Sequence, residues 1–160
     1  MRLFVFFSLI ISSFNIHAQF LEYNIDWNGN TQYELEQKKV SVPQVKNFNT
    51  NYSFNQSYTL VKQWKDNQII DANSVRLVRA EFSEINIDNF SGLEKIKFPN
   101  KIEFQLNTSI SKNELFSFLE INPIIFEDGI YKKLDKILIE YEFLKNRNNP
   151  KSLIEPSVMK

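Results

Sequence analysis

Few side chains in this chain combine a reactive type with a spacing that could do chemistry. Glu140 and Glu142 alternate with Tyr141, so in a strand both carboxylates lie on one face, roughly 7 Å apart by strand rise. Paired carboxylates at such a separation can serve glycoside hydrolysis. The same spacing is also that of an ordinary solvated strand face, which is the reading preferred here. Glu127 and Asp128 offer oxygen ligands, but no Asp-x-Asp-x-Asp-Gly loop surrounds them, and they read as turn residues rather than a calcium site. Trp27, Trp64 and the tyrosines could stack on sugar rings. On alternating strands most such aromatics belong to the core, because each buries a large apolar area.

The missing residue types exclude more than the present ones suggest. The 160 residues contain no Cys and one His, which is His17. Downstream of it there is no thiol nucleophile, no Ser-His-Asp or Cys-His arrangement and no imidazole or thiolate ligand for zinc. The residues imply no catalytic group, no metal and no cofactor.

His17 itself lies in a processing segment. Met1-Arg2 gives a charged start, Leu3 to Ile11 is apolar except for Ser8, and Ile16-His17-Ala18 precedes Gln19. That order reads as a secretory signal peptide over 1–18, with cleavage between Ala18 and Gln19. The apolar run is shorter than the ~20 residues of a membrane-spanning helix. Without a Cys, no lipid anchor follows. Cleavage takes 18 of the 160 residues and leaves 142, enough for one domain. Removing Arg2 leaves 18 basic residues against 19 acidic, so no basic stripe argues for nucleic acid.

The remaining chain alternates apolar and polar residues at period two. Leu21, Tyr23, Ile25 and Trp27 share one face of a first strand, and Asn28-Gly29-Asn30 is expected to turn it. A second strand passes Tyr33 and Leu35 and resumes at Val40 and Val42, with an irregularity near Lys38-Lys39 and an end at Pro43. Residues 44–57 read as an Asn-rich loop whose Phe48, Tyr52 and Phe54 pack down. Strands follow at Tyr58–Trp64, Val75–Ile85 and Lys101–Asn107.

Two segments also fit a helix. Ser111-Lys112-Asn113-Glu114 matches a capping box, and Leu134, Ile137, Leu138 and Tyr141 match helical spacing. A helix from 134 would leave Ile139 and Phe143 wet, whereas a strand puts Ile137, Ile139, Tyr141 and Phe143 on one face. Strand is the reading for both. Asp128-Gly129 predicts a two-residue hairpin turn. The expected fold is all-β: an antiparallel β-sandwich forming a single domain over 19–145 after the signal peptide, with a linker composition over 146–160.

The order of several blocks resembles the N-terminal region of the PorU family, the gingipain-like sortases of the type IX secretion system. The blocks are Asn24-Ile25-Asp26-Trp27, Gln63-Trp64-Lys65, Glu81-Phe82-Ser83-Glu84-Ile85, and Phe116 to Ile124 running through Gly129-Ile130-Tyr131-Lys132-Lys133 to Ile139-Glu140-Tyr141. The resemblance implies a β-rich, prodomain-like region preceding a cysteine peptidase domain that carries the catalytic Cys and His. It implies export to the periplasm or outer-membrane surface of a Gram-negative bacterium. It also implies partnership with a gingipain-like catalytic domain or other type IX secretion components in protein secretion and cargo processing. None of the family's catalytic residues maps onto this chain, which is expected to stop before that domain and to be truncated. Phe126, Ile130 and Tyr131, around the Asp128-Gly129 turn, are the candidate docking residues. The alternative function is a free-standing secreted β-sandwich module that binds a ligand such as a glycan.

Overall fold

The structure, a computed structural model, describes residues 18–35, 38–54 and 56–144. The segments read above as the signal peptide up to His17 and as the linker over 146–160 lie outside the described residues.

The described residues form ten strands and one short 3-10 turn (Ile87–Asn89). The strands are β1 (Gln19–Asn24), β2 (Asp26–Leu35), β3 (Lys38–Lys46), β4 (Asn49–Ser53), β5 (Ser57–Asp66), β6 (Arg76–Glu84), β7 (Glu103–Ser111), β8 (Glu114–Asn122), β9 (Ile124–Glu127) and β10 (Ile130–Tyr141). All pairings are antiparallel. One sheet runs β1-β10-β6, with β9 also on β10; a second runs β4-β5-β8-β7; β2 and β3 form a separate ribbon. This is an all-β, sandwich-like single domain, as the alternation requires.

The inner faces meet in one apolar cluster. Leu134, Ile137 and Ile139 of β10 join Leu60, Leu119, Ile121 and Leu106 of the second sheet and Val42 and Val45 of the ribbon. Two of the short connections that carry the chain between sheets show how alternating strands reach a shared core. Ile25, buried between β1 and β2, is the corner where the first extended segment leaves β10 for β3, and its amide donates to the Asp135 carbonyl. Pro123 is fully buried between β8 and β9 and carries the chain from the second sheet to the first. A residue without an N–H suits a position that leaves one ladder before joining the next.

Several expectations are corrected here. Asn28-Gly29-Asn30 does not turn the chain: β2 continues through it with a bulge, since Trp27 opposes Val45 while Asn30 opposes Pro43. Gly29 takes φ 74° there, a conformation glycine adopts without a Cβ clash. The irregularity expected near Lys38-Lys39 is instead the junction of two paired strands, with Leu35 opposite Lys38. Pro43 lies inside β3 rather than ending it, buried against the core. The loop expected over 44–57 contains the end of β3 and all of β4, which pairs with β5. Phe48 and Tyr52 do pack on the core, but Phe54 is exposed. The capping box is a two-residue hairpin turn: Ser111 opposes Glu114, and Lys112 and Asn113 take φ 49° and 64°. Positive φ at both central residues is the signature of the type I′ turn.

The helical spacing of Leu134 and Ile137 has a local cause. Register with β6 shifts between Leu134 and Lys136, so Asp135 is an extra residue in β10. An extra residue moves the inward face by one position. Leu134 and Ile137 are therefore both fully buried in a strand although three apart.

Candidate functional site

The β9–β10 hairpin gathers the three docking candidates. Asp128 and Gly129 take φ 55° and 80°, closing the expected two-residue turn. Phe126 and Tyr131 are direct cross-strand partners, with ring centroids 4.6 Å apart. Tyr131 also meets Phe98 edge-on at 5.8 Å, so it is half-buried and anchors the hairpin. Three further contacts hold the hairpin. The Phe126 amide donates to the Pro99 carbonyl at 2.8 Å, and the Ile85 amide donates to the Tyr131 carbonyl at 3.0 Å. Lys132 Nζ donates to Glu127 Oε2 at 2.7 Å. That bond, more than the surrounding charges, raises the Lys132 pKa.

Inboard, Ile124 and Ile125 are buried; at the tip Phe126 stays 40% and Ile130 42% exposed. The tip therefore presents two large apolar side chains on a backbone held to its surroundings by two hydrogen bonds. Such a feature suits docking against a complementary apolar surface. It has no thiol or imidazole.

The remaining candidates do not come together. Glu140 lies in β10 between Phe20 and Arg76. Glu142 falls beyond the strand's last residue, and its backbone binds Ser74 and Asp71. The pair therefore does not form a two-carboxylate face within one strand. Glu127 is committed to Lys132, and among the described residues no group of three His, Cys, Asp or Glu could hold a metal ion. Trp27 and Trp64 pack against the core, and the Trp27 indole N–H donates to the Leu134 carbonyl at 2.8 Å. Ala18 immediately precedes β1, and Gln19 is its first residue, opposite Tyr141. No helix among the described residues is long and apolar enough to cross a membrane.

Two polar features escaped the sequence reading. Ser117, fully buried, donates to Asp66 Oδ2 at 2.7 Å and lies 3.2 Å from the Thr108 hydroxyl, which accepts from the Ile70 amide. This network ties the segment after β5 to the second sheet. A surface cleft of about 320 Å³ is lined by Thr59, Glu103, Phe104, Gln105, Glu120 and Asn122. Both carboxylates are already engaged, Glu120 by the Thr59 hydroxyl and Glu103 by the Asn122 amide. Neither feature could be found from the sequence, because each joins residues from different strands.

No family model matches the chain, and no curated protein matches it. Among solved structures, a chain of the complex of Porphyromonas gingivalis RgpB pro- and mature domains is 10% identical, with a TM-score of 0.49, over 79% of this chain and 78% of that one. A structure addressing the zymogenic latency of gingipain K from Porphyromonas gingivalis is 11% identical, with a TM-score of 0.49, over 78% of this chain and 86% of that one.

Proposed function

We propose that this chain is the non-catalytic, prodomain-like N-terminal domain of a type IX secretion sortase of the PorU family. In this reading it is exported to the periplasm or outer-membrane surface and docks on a gingipain-like cysteine peptidase region. The observation that carries the reading is the β9–β10 tip: Phe126 and Ile130 are exposed at the end of a hairpin whose Ile124 and Ile125 are buried. The block resemblance supports the same partner, since its most specific part contains this hairpin's Gly129-Ile130-Tyr131. The absence of Cys, and of His beyond His17, agrees with a supporting rather than a catalytic role.

Domain–domain contacts of this kind bury about 600–1,500 Å². Presented as a separate polypeptide, the domain lacks the effective concentration of a tether and binds in the micromolar range. The test is calorimetric titration of the purified protein against a PorU-type catalytic region. Phe126→Ser combined with Ile130→Ser weakens binding about tenfold or more, with melting temperature and far-UV dichroism unchanged. No heat at high micromolar concentration with both components folded, or unchanged affinity in the double variant, would overturn the proposal.

A further inference from the structure

β6 is an outer strand: one edge pairs with β10, and no other described strand pairs with its second edge. Its nine residues read Arg76-Leu77-Val78-Arg79-Ala80-Glu81-Phe82-Ser83-Glu84. The charges form a palindrome of opposite sign about Ala80, two arginines before it and two glutamates after it. The same strand exposes Leu77 by 39% and Val78 by 49%, and the side chains of Arg79 and Glu81 by 60% and 47%.

Protected edges usually carry a charge or a bulge that discourages any pairing. β6 has a bulge, where Leu77 meets Ile139 and Arg79 meets Leu138. Its charges, however, select one pairing rather than forbidding all. The bulge makes Val78 the extra residue and puts Arg76 and Glu84 on opposite faces. When two copies of β6 meet antiparallel about Ala80, Arg79 opposes Glu81 on both halves of the seam, and these two residues share one face. Sliding the copies by two residues sets Arg79 against Arg79 in one direction and Glu81 against Glu81 in the other. Like charges directly opposite are destabilising, so the symmetric register is favoured over both of these slides.

We infer that β6 is a self-complementary edge through which two copies of this chain associate antiparallel, joining their β1-β10-β6 sheets into one continuous sheet. The symmetry is twofold, so each contact is made twice. Arg79 and Glu81 pair within one chain, and in the dimer the same groups pair crosswise. The β9–β10 tip belongs to another edge of the sheet, since β9 and β6 flank β10 on opposite sides. The inference is therefore independent of the proposed docking role.

The test is sedimentation velocity on the full exported chain, at concentrations up to roughly 100 µM because a single strand seam is smaller than a standard interface. The wild type shows a concentration-dependent dimer that weakens with added salt. Arg79→Glu and Glu81→Arg each weaken it about tenfold or more, by placing like charges across the seam. Mixing these two variants in equal amounts restores the dimer. In the mixture each introduced acid meets an introduced base, and the native Arg79 and Glu81 meet each other. Loss of the within-chain ion pair cannot be repaired by mixing, so rescue distinguishes the two effects. Should either variant fail to fold by circular dichroism, Arg79→Asp with Glu81→Lys makes the same comparison. A wild type that stays monomeric, or folded variants whose mixture stays monomeric, would overturn the inference.

Discussion

The Tyr58 hydroxyl donates to the Pro43 carbonyl across 2.9 Å, joining β5 of one sheet to β3 of the ribbon inside the core. Pro43 is fully buried and Tyr58 only 2% exposed, so neither group has water as a substitute partner. Tyr58→Phe keeps the packing but strands a buried carbonyl. Denaturant unfolding should show a loss of about 1–3 kcal/mol.

Alkaline pH should destabilise the domain. Burial raises the pKa of Tyr58 far above its ordinary value, and burial also raises those of Tyr23, Tyr52 and Tyr141. Groups raised in the folded state contribute stability that is complete below their unfolded pKa of about 10. That stability is lost as pH climbs from there toward the folded values. Denaturant midpoints across this window should fall, with tyrosinate absorbance rising in step with unfolding. Flat midpoints would contradict the burial of these rings.

Acid should loosen the β1–β10 seam. The hydrogen bond from Lys136, assisted by its charge, holds the Glu22 carboxyl below its ordinary pKa. Its contribution is present above the unfolded value of about 4.3 and fades as pH falls through the lower folded value. Because the pair is exposed, the effect is small and salt-sensitive. A titration followed at the Glu22 carboxyl by NMR should show the lowered pKa, and Glu22→Gln should flatten the acid dependence of stability.

Gly92→Ala should be costly for a steric reason. A Cβ there would sit 2.6 Å from Val42 Cγ1, 2.9 Å from the Tyr52 hydroxyl and 3.0 Å from the Ser41 carbonyl oxygen. The Gly92 amide donates to that carbonyl at 2.9 Å, and its own carbonyl accepts from Tyr52 at 3.0 Å. The methyl must push the segment off β3. A loss of about 1–3 kcal/mol is expected by thermal or chemical unfolding.

Exported protein should begin at Gln19. Ala18 is the small residue before the cut, and β1 starts at Gln19, so cleavage leaves the strand whole. Intact-mass measurement of secreted material checks this; a mass retaining Met1 would refute it.

The sequence by itself determined the class of fold and the lack of Cys and of any His beyond His17. Period-two alternation records which side of a strand is buried, so Ile137, Ile139 and Tyr141 could be placed inward without knowing their neighbours. Asp128-Gly129 was equally legible, because its conformational demand is local. Tertiary structure decided where strands change partner. Alternation runs unbroken from Leu21 to Trp27, yet the chain leaves β10 for β3 at Ile25, a choice made by what packs around it. Bulges at Asp135 and Gly29 shifted the register and imitated a helix in one case and a turn in the other. Lys112-Asn113 became a hairpin turn because β7 and β8 pair on either side, overriding the capping signal. The exposure of Phe126 and Ile130 and the free edge of β6 depend on strands distant in sequence. They follow from burial and pairing, which no short window of residues contains.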